Sequence, residues 1–259
     1  MPFIKRNNLF TSQGRSLLAI LTKIRLKAIH YNSFFGILWS LVNPVVMLTV
    51  MFLIFGRHYG VKVTAYPLYL LVGISCVNFF ITSTSYLSGV CYQNRQILLN
   101  TLIPHEIVFV SALLAHTNKF MIELLICLLL SWFYQTMTWT ILWLIPMLAC
   151  FFIFINSISV LIALSTNFAQ DVLHLWNMMT RVLLFVTPIF YNLSDLSEPI
   201  KKIIYYLNPL TPFVIAIRST FFGESPLLTY GYVFLITGIS TMFCYFVFTK
   251  MESFAMERL

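Results

Sequence analysis

Charged residues are scarce in this sequence. Only 9% of its 259 residues are charged, whereas 59% are hydrophobic. A soluble domain carries about 25% charged residues, so this composition cannot cover a surface that faces water on all sides. The scarcity excludes an ordinary soluble enzyme or binding domain. It predicts an all-α integral membrane protein, because helices satisfy their own backbone hydrogen bonds in lipid.

Motifs for nucleotide hydrolysis and for catalysis are also missing. No lysine follows a glycine, so the phosphate-binding motif GxxxxGK[ST] is absent, and the histidines form no HExxH pattern. We therefore predict no catalytic residue, no metal site and no cofactor in this chain. Active transport would need a partner subunit or an ion gradient. Lys119 neutralises Glu123, the one good candidate for ion coupling, which favours a partner.

Positive charge is concentrated at the start of the chain. The net charge is +8, and the first 27 residues contain no acid but six basic residues: Lys5, Arg6, Arg15, Lys23, Arg25 and Lys27. Beside a membrane span, such charge indicates the cytoplasmic side. No zinc-finger or helix-turn-helix pattern accompanies it, so nucleic acid is not the expected partner. Residues 1–33 are predicted to form an amphipathic arm in the membrane interface.

Long apolar runs predict six transmembrane helices in one domain that covers residues 1–259. A helix needs about 20 apolar residues to cross a bilayer. Tyr66, Tyr69 and Tyr86, near the ends of the second run, suit the lipid headgroup region. An even number of spans places both termini in the cytoplasm. The predicted spans are about 36–56, 66–89, 107–134, 141–165, 172–191 and 227–248.

The segment 192–224 differs from the rest of the chain. It contains three prolines and several charges, and its apolar stretches are too short to cross a membrane. Non-helical backbone at membrane depth is tolerated where protein or water shields it. We predict short re-entrant or interfacial helices there, on the outer side.

Several short motifs follow one another in a recognisable order. They are GILWSLVNP at 36–44, GI at 73–74, a segment from 94 that ends in IP at 103–104, NFAQD at 167–171, TPIFY at 187–191, and NPL at 208–210 followed by Arg218 and Gly223. Their order and spacing, over nearly the full length, resemble the membrane subunit of type 2 ABC transporters. Members of that family export polysaccharides such as O-antigen, capsule or teichoic acid.

The resemblance implies the partners and the compartment. It implies a homodimer in the bacterial inner (cytoplasmic) membrane, joined by two ABC ATPase subunits that bind ATP and Mg. The substrate would be a lipid-linked polysaccharide that passes between the two membrane subunits. Two alternatives remain: a permease of the same architecture for a small hydrophobic drug or antibiotic, and a membrane-embedded transferase in envelope-glycan assembly.

The resemblance also suggests functional residues. The segment 94–104 is the expected coupling helix, which contacts the ATPase through Asn94, Arg95, Ile97, Leu98, Leu102 and Pro104. An ordinary amphipathic turn at the membrane surface is the alternative. The expected outer gate consists of Pro188, Tyr191, Asn208, Pro209 and Arg218, for which a purely structural cap is the alternative.

Six residues are candidates for lining the export pathway or for contacting the substrate. They are Trp39, Asn43, Arg181, Phe151, Phe152 and Phe154. Aromatic faces suit the C–H surfaces of sugars, and Arg181 suits a pyrophosphate or an anionic sugar. For the three phenylalanines the alternative is packing that faces lipid. For Arg181 it is a snorkelling position at the membrane boundary.

Overall fold

The computed structural model describes residues 11–30, 38–59, 65–90, 105–166, 169 and 171–258, and within these ranges all regular structure is helical. The prediction of an all-α protein is confirmed for this part of the chain. Two short 3-10 helices, Trp139–Trp143 and Leu193–Asp195, accompany the α-helices. The α-helices are α1 Ser12–His30, α2 Leu38–Tyr59, α3 Tyr66–Ser88, α4 His105–Phe133, α5 Leu144–Thr166, α6 Asp171–Val186, α7 Glu198–Leu207, α8 Leu210–Phe221 and α9 Leu227–Arg258.

Four helical segments are long and apolar enough to cross a membrane: Tyr66–Ser88, Ile107–Phe133, Trp139–Thr166 and Leu227–Lys250. They correspond to the second, third, fourth and sixth predicted spans, and make this a multi-pass membrane protein. The first predicted span falls on α2, whose described apolar part is Pro44–Gly56. The fifth falls on α6. The 16 residues of α6 measure about 24 Å, less than the roughly 30 Å of hydrocarbon in a bilayer.

Some predicted helix ends are wrong. The fifth span was expected to reach residue 191, but α6 ends at Val186. Pro188 explains the difference, because a proline disfavours the helical conformation of the residue before it. The sixth predicted span, 227–248, agrees with the apolar segment Leu227–Lys250, but the helix itself continues beyond it to Arg258. Its final residues include Ala, Met, Glu and Arg, which all favour a helix.

The central helix is α3, which is buried along most of its length. It runs antiparallel to α4, since Phe79 stacks on Phe120 at 4.3 Å between ring centroids and Tyr86 contacts His116 at 4.5 Å. On the other side of the bundle α5 and α9 run parallel. Two contacts show this, since residue numbers rise together along both helices. Trp143, just before α5, stacks on Tyr230 at 5.2 Å between ring centroids, and the Ser157 hydroxyl oxygen lies 3.3 Å from that of Thr241.

The bundle has two distinct ends. We call residues 187–226 the cap, and the end that carries it the cap end. The opposite end is the arm end, where Arg25 of α1 donates a hydrogen bond to the Tyr86 hydroxyl at 3.0 Å. Thr166, at the end of α5, donates to the Ser88 carbonyl there at 3.2 Å. Because α9 runs parallel to α5, its C-terminus also lies at the arm end.

The predicted short helices of 192–224 are present as α7 and α8. They differ in burial: the described residues of α7 are exposed or half-buried, whereas nearly all of α8 is buried. Phe213 of α8 packs on Phe151 and Phe154 of α5, at 5.3 and 4.8 Å between ring centroids. The core of the protein therefore extends into the cap, and α8 is part of it rather than an interfacial helix.

Candidate functional site

The candidate site is the five-residue turn 187–191, between α6 and the rest of the cap. Its first four residues are buried, although its backbone is not helical. The Ile189 amide donates to the Thr187 carbonyl at 2.7 Å, which bends the chain sharply. Buried carbonyls that no helix pairs need other donors, and this need is strongest inside a membrane bundle.

Arg218 of α8 supplies two of these donors. Its Nη1 donates to the Pro188 carbonyl at 3.0 Å and its Nη2 to the Ile189 carbonyl at 3.4 Å. Its guanidinium carbon lies 3.5 Å from the centre of the Tyr69 ring. Only 6% of the side chain is exposed. Carbonyl dipoles and an aromatic face thus stabilise a buried cation that has no carboxylate partner among the described residues.

Tyrosines supply the other donors. The Tyr66 hydroxyl donates to the Phe190 carbonyl, and the Tyr69 hydroxyl donates to the Tyr191 carbonyl, both at 3.0 Å. Tyr66 and Tyr69 are one helical turn apart on α3, so both reach the same turn. Tyr191 itself donates to the Val186 carbonyl at 2.8 Å. Side chains therefore satisfy the carbonyls of residues 186, 188, 189, 190 and 191.

Of the three α3 tyrosines expected in the lipid headgroup region, Tyr66 and Tyr69 are buried inside the protein instead, and Tyr86 is half-buried. Tyr66 is 2% exposed and Tyr69 is 9% exposed. Both hydroxyls point at protein carbonyls instead of the membrane surface. The i, i+3 spacing was the available signal, but only the fold shows which carbonyls these hydroxyls reach.

Asn208 joins the turn to α8. Its Nδ2 donates to the Thr187 hydroxyl at 2.9 Å, and its Oδ1 accepts from the Leu210 amide at 3.0 Å. Pro209, with a φ of −65°, fits the start of α8. All five residues predicted for the outer gate therefore meet around one turn.

Gly73 of α3 packs directly beneath this arrangement. A methyl group at its position would overlap the Arg218 guanidinium and press on the Ile189 side chain. Gly73 therefore allows Arg218 to approach α3. In the sequence Gly73 stands in a short GI motif, which does not indicate this packing role.

Comparison with known proteins identifies the family. A family model described as ABC-2 type transporter matches residues 16–222, which include α3 to α8 and the whole candidate site. The chain belongs to the ABC-2 type transporter family. Membership makes this chain a membrane transport subunit rather than an enzyme.

Three curated relatives of this ABC-2 protein carry the same name, O-antigen export system permease protein RfbA. One from Klebsiella pneumoniae is 27% identical over 243 residues, 91% of this chain and 92% of the relative. A second from that organism is 25% identical over 229 residues, 86% of each chain. One from Myxococcus xanthus is 24% identical over 212 residues, 81% of this chain and 82% of the relative.

The three phenylalanines predicted to line a pathway lie in an aromatic cluster of this ABC-2 subunit. Phe151 and Phe154 are fully or almost fully buried, and Phe152 is half-buried. Phe151 and Phe152 both contact Phe79 and Phe120. In this structure Phe151 and Phe154 are core residues of the subunit, which differs from the lipid-facing packing that was the alternative.

Arg181 lies on the outside of α6. It is exposed, and the part of the chain that the structure describes offers it no ion-pair partner. Around it on α6 are exposed apolar side chains: Leu175, Met178, Met179, Val182 and Phe185. Arg181 thus lies among exposed apolar side chains, and His174 and Asp171 are also exposed nearer the start of α6.

The remaining predicted residues cannot be placed. Trp39 and Asn43 belong to α2, which is helical on both sides of Pro44, but their side chains lie outside the described part. The whole coupling segment, with Asn94, Arg95, Ile97, Leu98, Leu102 and Pro104, also lies outside the described residues.

Lys119 and Glu123 form an ion pair inside α4. The Lys119 Nζ lies 3.8 Å from the Glu123 Oε1, and Glu123 is 2% exposed whereas Lys119 is 39% exposed. We expect Lys119→Met to lower the free energy of unfolding by about 1–3 kcal/mol, because it leaves the buried Glu123 carboxylate without its cationic partner. Unfolding of the purified protein, followed by tryptophan fluorescence, measures this. Adding Glu123→Gln should recover most of the loss.

Lys201→Met is the matched control for that prediction. Lys201 pairs with Glu198 at 3.3 Å, but both side chains are well exposed. Exposed pairs contribute about 0–1 kcal/mol, so this variant should unfold almost like the wild type. Equal losses for the two lysine variants would contradict a stabilising role of the buried pair.

Proposed function

We propose that this chain is the permease subunit of an ATP-driven exporter that moves a lipid-linked cell-surface polysaccharide across the bacterial inner membrane. The observation that carries the proposal is the shared name of three relatives, all O-antigen export permeases, whose similarity covers 81–91% of this chain. The match to the ABC-2 family model covers residues 16–222, and so includes α3 to α8 with most of the cap.

We further propose six spans with both termini in the cytoplasm. Two observations support this orientation. The basic helix α1 and the end of α9 lie at the same end of the bundle, through the Arg25–Tyr86 contact and the parallel course of α5 and α9. Positive charge accumulates on the cytoplasmic side of membrane proteins. The arm end is then cytoplasmic, and the cap end faces outward.

The exposed face of α6 supports a homodimer with the pathway between its subunits. Arg181 is surrounded there by apolar side chains such as Met178 and Phe185. Ionisable residues within membrane helices face protein or a water-filled path, and rarely face lipid. In a dimer, α6 borders the pathway, and Arg181 contacts anionic groups of the passing substrate.

The energy source in this proposal is a pair of ABC ATPase subunits that bind ATP and Mg. The segment 94–104 follows α3 and precedes α4, and both helix ends lie at the arm end. The position of these two helix ends supports the predicted role of the segment as the ATPase contact. At the opposite end, the 187–191 turn, with Asn208 and Arg218, forms the outer gate.

Deleting the gene tests this function. We expect the deletion strain to lose its surface polysaccharide and to accumulate lipid-linked polymer inside the cell, since synthesis continues without export. Immunoblots of surface and internal fractions measure both pools. A plasmid copy of the wild-type gene should restore the surface polymer. An unchanged surface polysaccharide in the deletion strain would overturn the proposal.

Purification of the protein tests whether ATP hydrolysis comes from a partner subunit. The tagged chain should carry ATPase activity only when an ATPase subunit co-purifies with it. ATP hydrolysis by the chain alone would contradict the proposed division of labour. Normal surface polymer together with increased sensitivity of the deletion strain to small hydrophobic drugs would favour a different cargo.

A further inference from the structure

A cavity of about 830 Å³ opens at the cap end. It lies between the start of α3, the connection from α4 to the first 3-10 helix, and the cap itself. We call it the cap cavity. Its volume falls in the range of about 300–1,000 Å³ that is typical of small-molecule sites. It is distinct from the aromatic cluster around Phe151 and Phe154, which lies within the core.

The walls of the cap cavity are rich in neutral polar groups. Amide and hydroxyl side chains both donate and accept hydrogen bonds, as sugar hydroxyls do. The rings of Tyr69, Tyr205 and Phe222 add flat apolar faces of the kind against which the C–H face of a sugar ring packs. The neutral polar groups of the wall come from Gln135, Thr136, Thr138, Asn192, Ser194 and Ser219.

The charges of the wall do not form an anion site. The Arg218 guanidinium is already engaged by two backbone carbonyls and by the Tyr69 ring. The Lys201 ammonium group is paired with Glu198. Glu224 adds a carboxylate to the wall, which would repel an anion. The cavity is therefore suited to an uncharged polar ligand.

We propose that the cap cavity binds a neutral stretch of carbohydrate as it leaves the transporter. This inference rests on the proposed function, which brings a glycan chain to the cap end. It assigns one sugar site to each subunit, beside the proposed outer gate, since Pro188 and Arg218 also line the cavity. Tyr205 provides the stacking face, and the wall amides and hydroxyls bind the sugar hydroxyls.

The test measures binding to the full transporter, purified with its ATPase subunits and placed in nanodiscs. The probe is a set of soluble oligosaccharides that mild acid releases from the surface polysaccharide of the same cells. Saturation-transfer NMR and calorimetric titration report binding. We expect Tyr205→Ala and Ser194→Trp to bind at least tenfold more weakly, since one removes the stacking ring and the other fills the cavity from an exposed position.

Two neighbouring variants serve as matched controls. Tyr205→Phe keeps the ring and should retain affinity within about threefold, because it loses only the hydrogen bond to Thr229. Tyr206→Ala removes a ring from the next position of α7, which is 64% exposed and does not line the cavity, so binding should stay unchanged. Absence of binding to the wild type, or equal binding by all variants, overturns the inference.

Competition with inorganic phosphate tests the charge argument. We expect phosphate not to displace the oligosaccharides, and displacement would make the cavity an anion site and overturn the inference. The deletion strain separates the two proposals. If that strain loses its surface polymer while the cavity variants bind normally, export stands and only the sugar site fails. If the surface polymer persists, both proposals fail.

Discussion

Replacing Arg218 with methionine should abolish export and lower the apparent melting temperature by about 10 °C. Methionine fills much of the space but leaves the Pro188 and Ile189 carbonyls without their donors. Each unsatisfied buried group costs about 1–3 kcal/mol, and the contact with the Tyr69 ring is lost as well. A total loss of roughly 3–5 kcal/mol in the free energy of unfolding corresponds to a large decrease in the melting temperature of a chain of this size.

The measurement uses tryptophan fluorescence of the purified protein, together with surface polysaccharide in cells. Arg218→Lys should be intermediate, because one ammonium group cannot serve both carbonyls and stack on the ring. Arg181→Met is the matched control: it removes an exposed arginine from α6 and should leave the melting temperature nearly unchanged. An Arg218→Met protein that melts and exports like the wild type would show that the guanidinium does not hold the turn.

A double-mutant cycle isolates the contact between Arg218 and Tyr69. Tyr69→Leu removes both the ring face beneath the guanidinium and the hydroxyl that serves the Tyr191 carbonyl. Because the two side chains are in direct contact, the double variant should be less damaged than the sum of the single ones. Tyr69→Phe, which keeps the ring, should lose only the hydrogen bond.

Substituting Gly73 should have the second-largest effect. A Cβ atom there overlaps the Arg218 guanidinium and crowds Ile189. Overpacking of this kind costs about 1–3 kcal/mol for Gly73→Ala, and Gly73→Val should cost more because it is branched at Cβ. Both the melting temperature and export should fall for Gly73→Ala, and both should fall further for Gly73→Val. The damage arises because Arg218 must leave the turn.

Gly238→Ala is the matched control for Gly73. Gly238 lies in α9, and a Cβ atom there meets nothing within 4 Å. Alanine favours helix over glycine by about 0.5–1 kcal/mol, so this variant should be neutral or slightly stabilising. Combining Gly73→Ala with Arg218→Met should be scarcely worse than Arg218→Met alone, since the overlapping group is gone. An additive loss would mean that the two residues act independently.

Several residues around the 187–191 turn could be singled out from the sequence, and their hydrogen-bond partners could not. Pro188, Asn208 and Arg218 stand in recognisable local motifs, and the structure brings them together. Tyr66 and Tyr69 lie more than a hundred residues away from the turn whose carbonyls they serve. Tyrosine near the end of an apolar run usually marks the membrane surface, so the local pattern favoured the wrong environment.

Helix type was easier to predict than helix length. The apolar runs gave α3, α4 and α5 to within a few residues, because a bilayer imposes one length on every crossing. They overestimated the length of α6, because Pro188 places a turn where the apolar run continues. Phe151 and Phe154 show a similar limit: aromatic content is visible in a sequence, but Phe213, which buries them, comes from a helix some sixty residues further on.

The central position of α3 gives it a mechanical consequence. This one uninterrupted helix carries Tyr66, Tyr69 and Gly73 under the cap, and Tyr86 beneath the basic arm. Tyr66 and Tyr86 are about 30 Å apart along its axis. A rigid rod fastened at both ends converts a displacement at one end into an equal displacement at the other. The residue that meets the arm and the two tyrosines that donate to the Phe190 and Tyr191 carbonyls therefore belong to one helix.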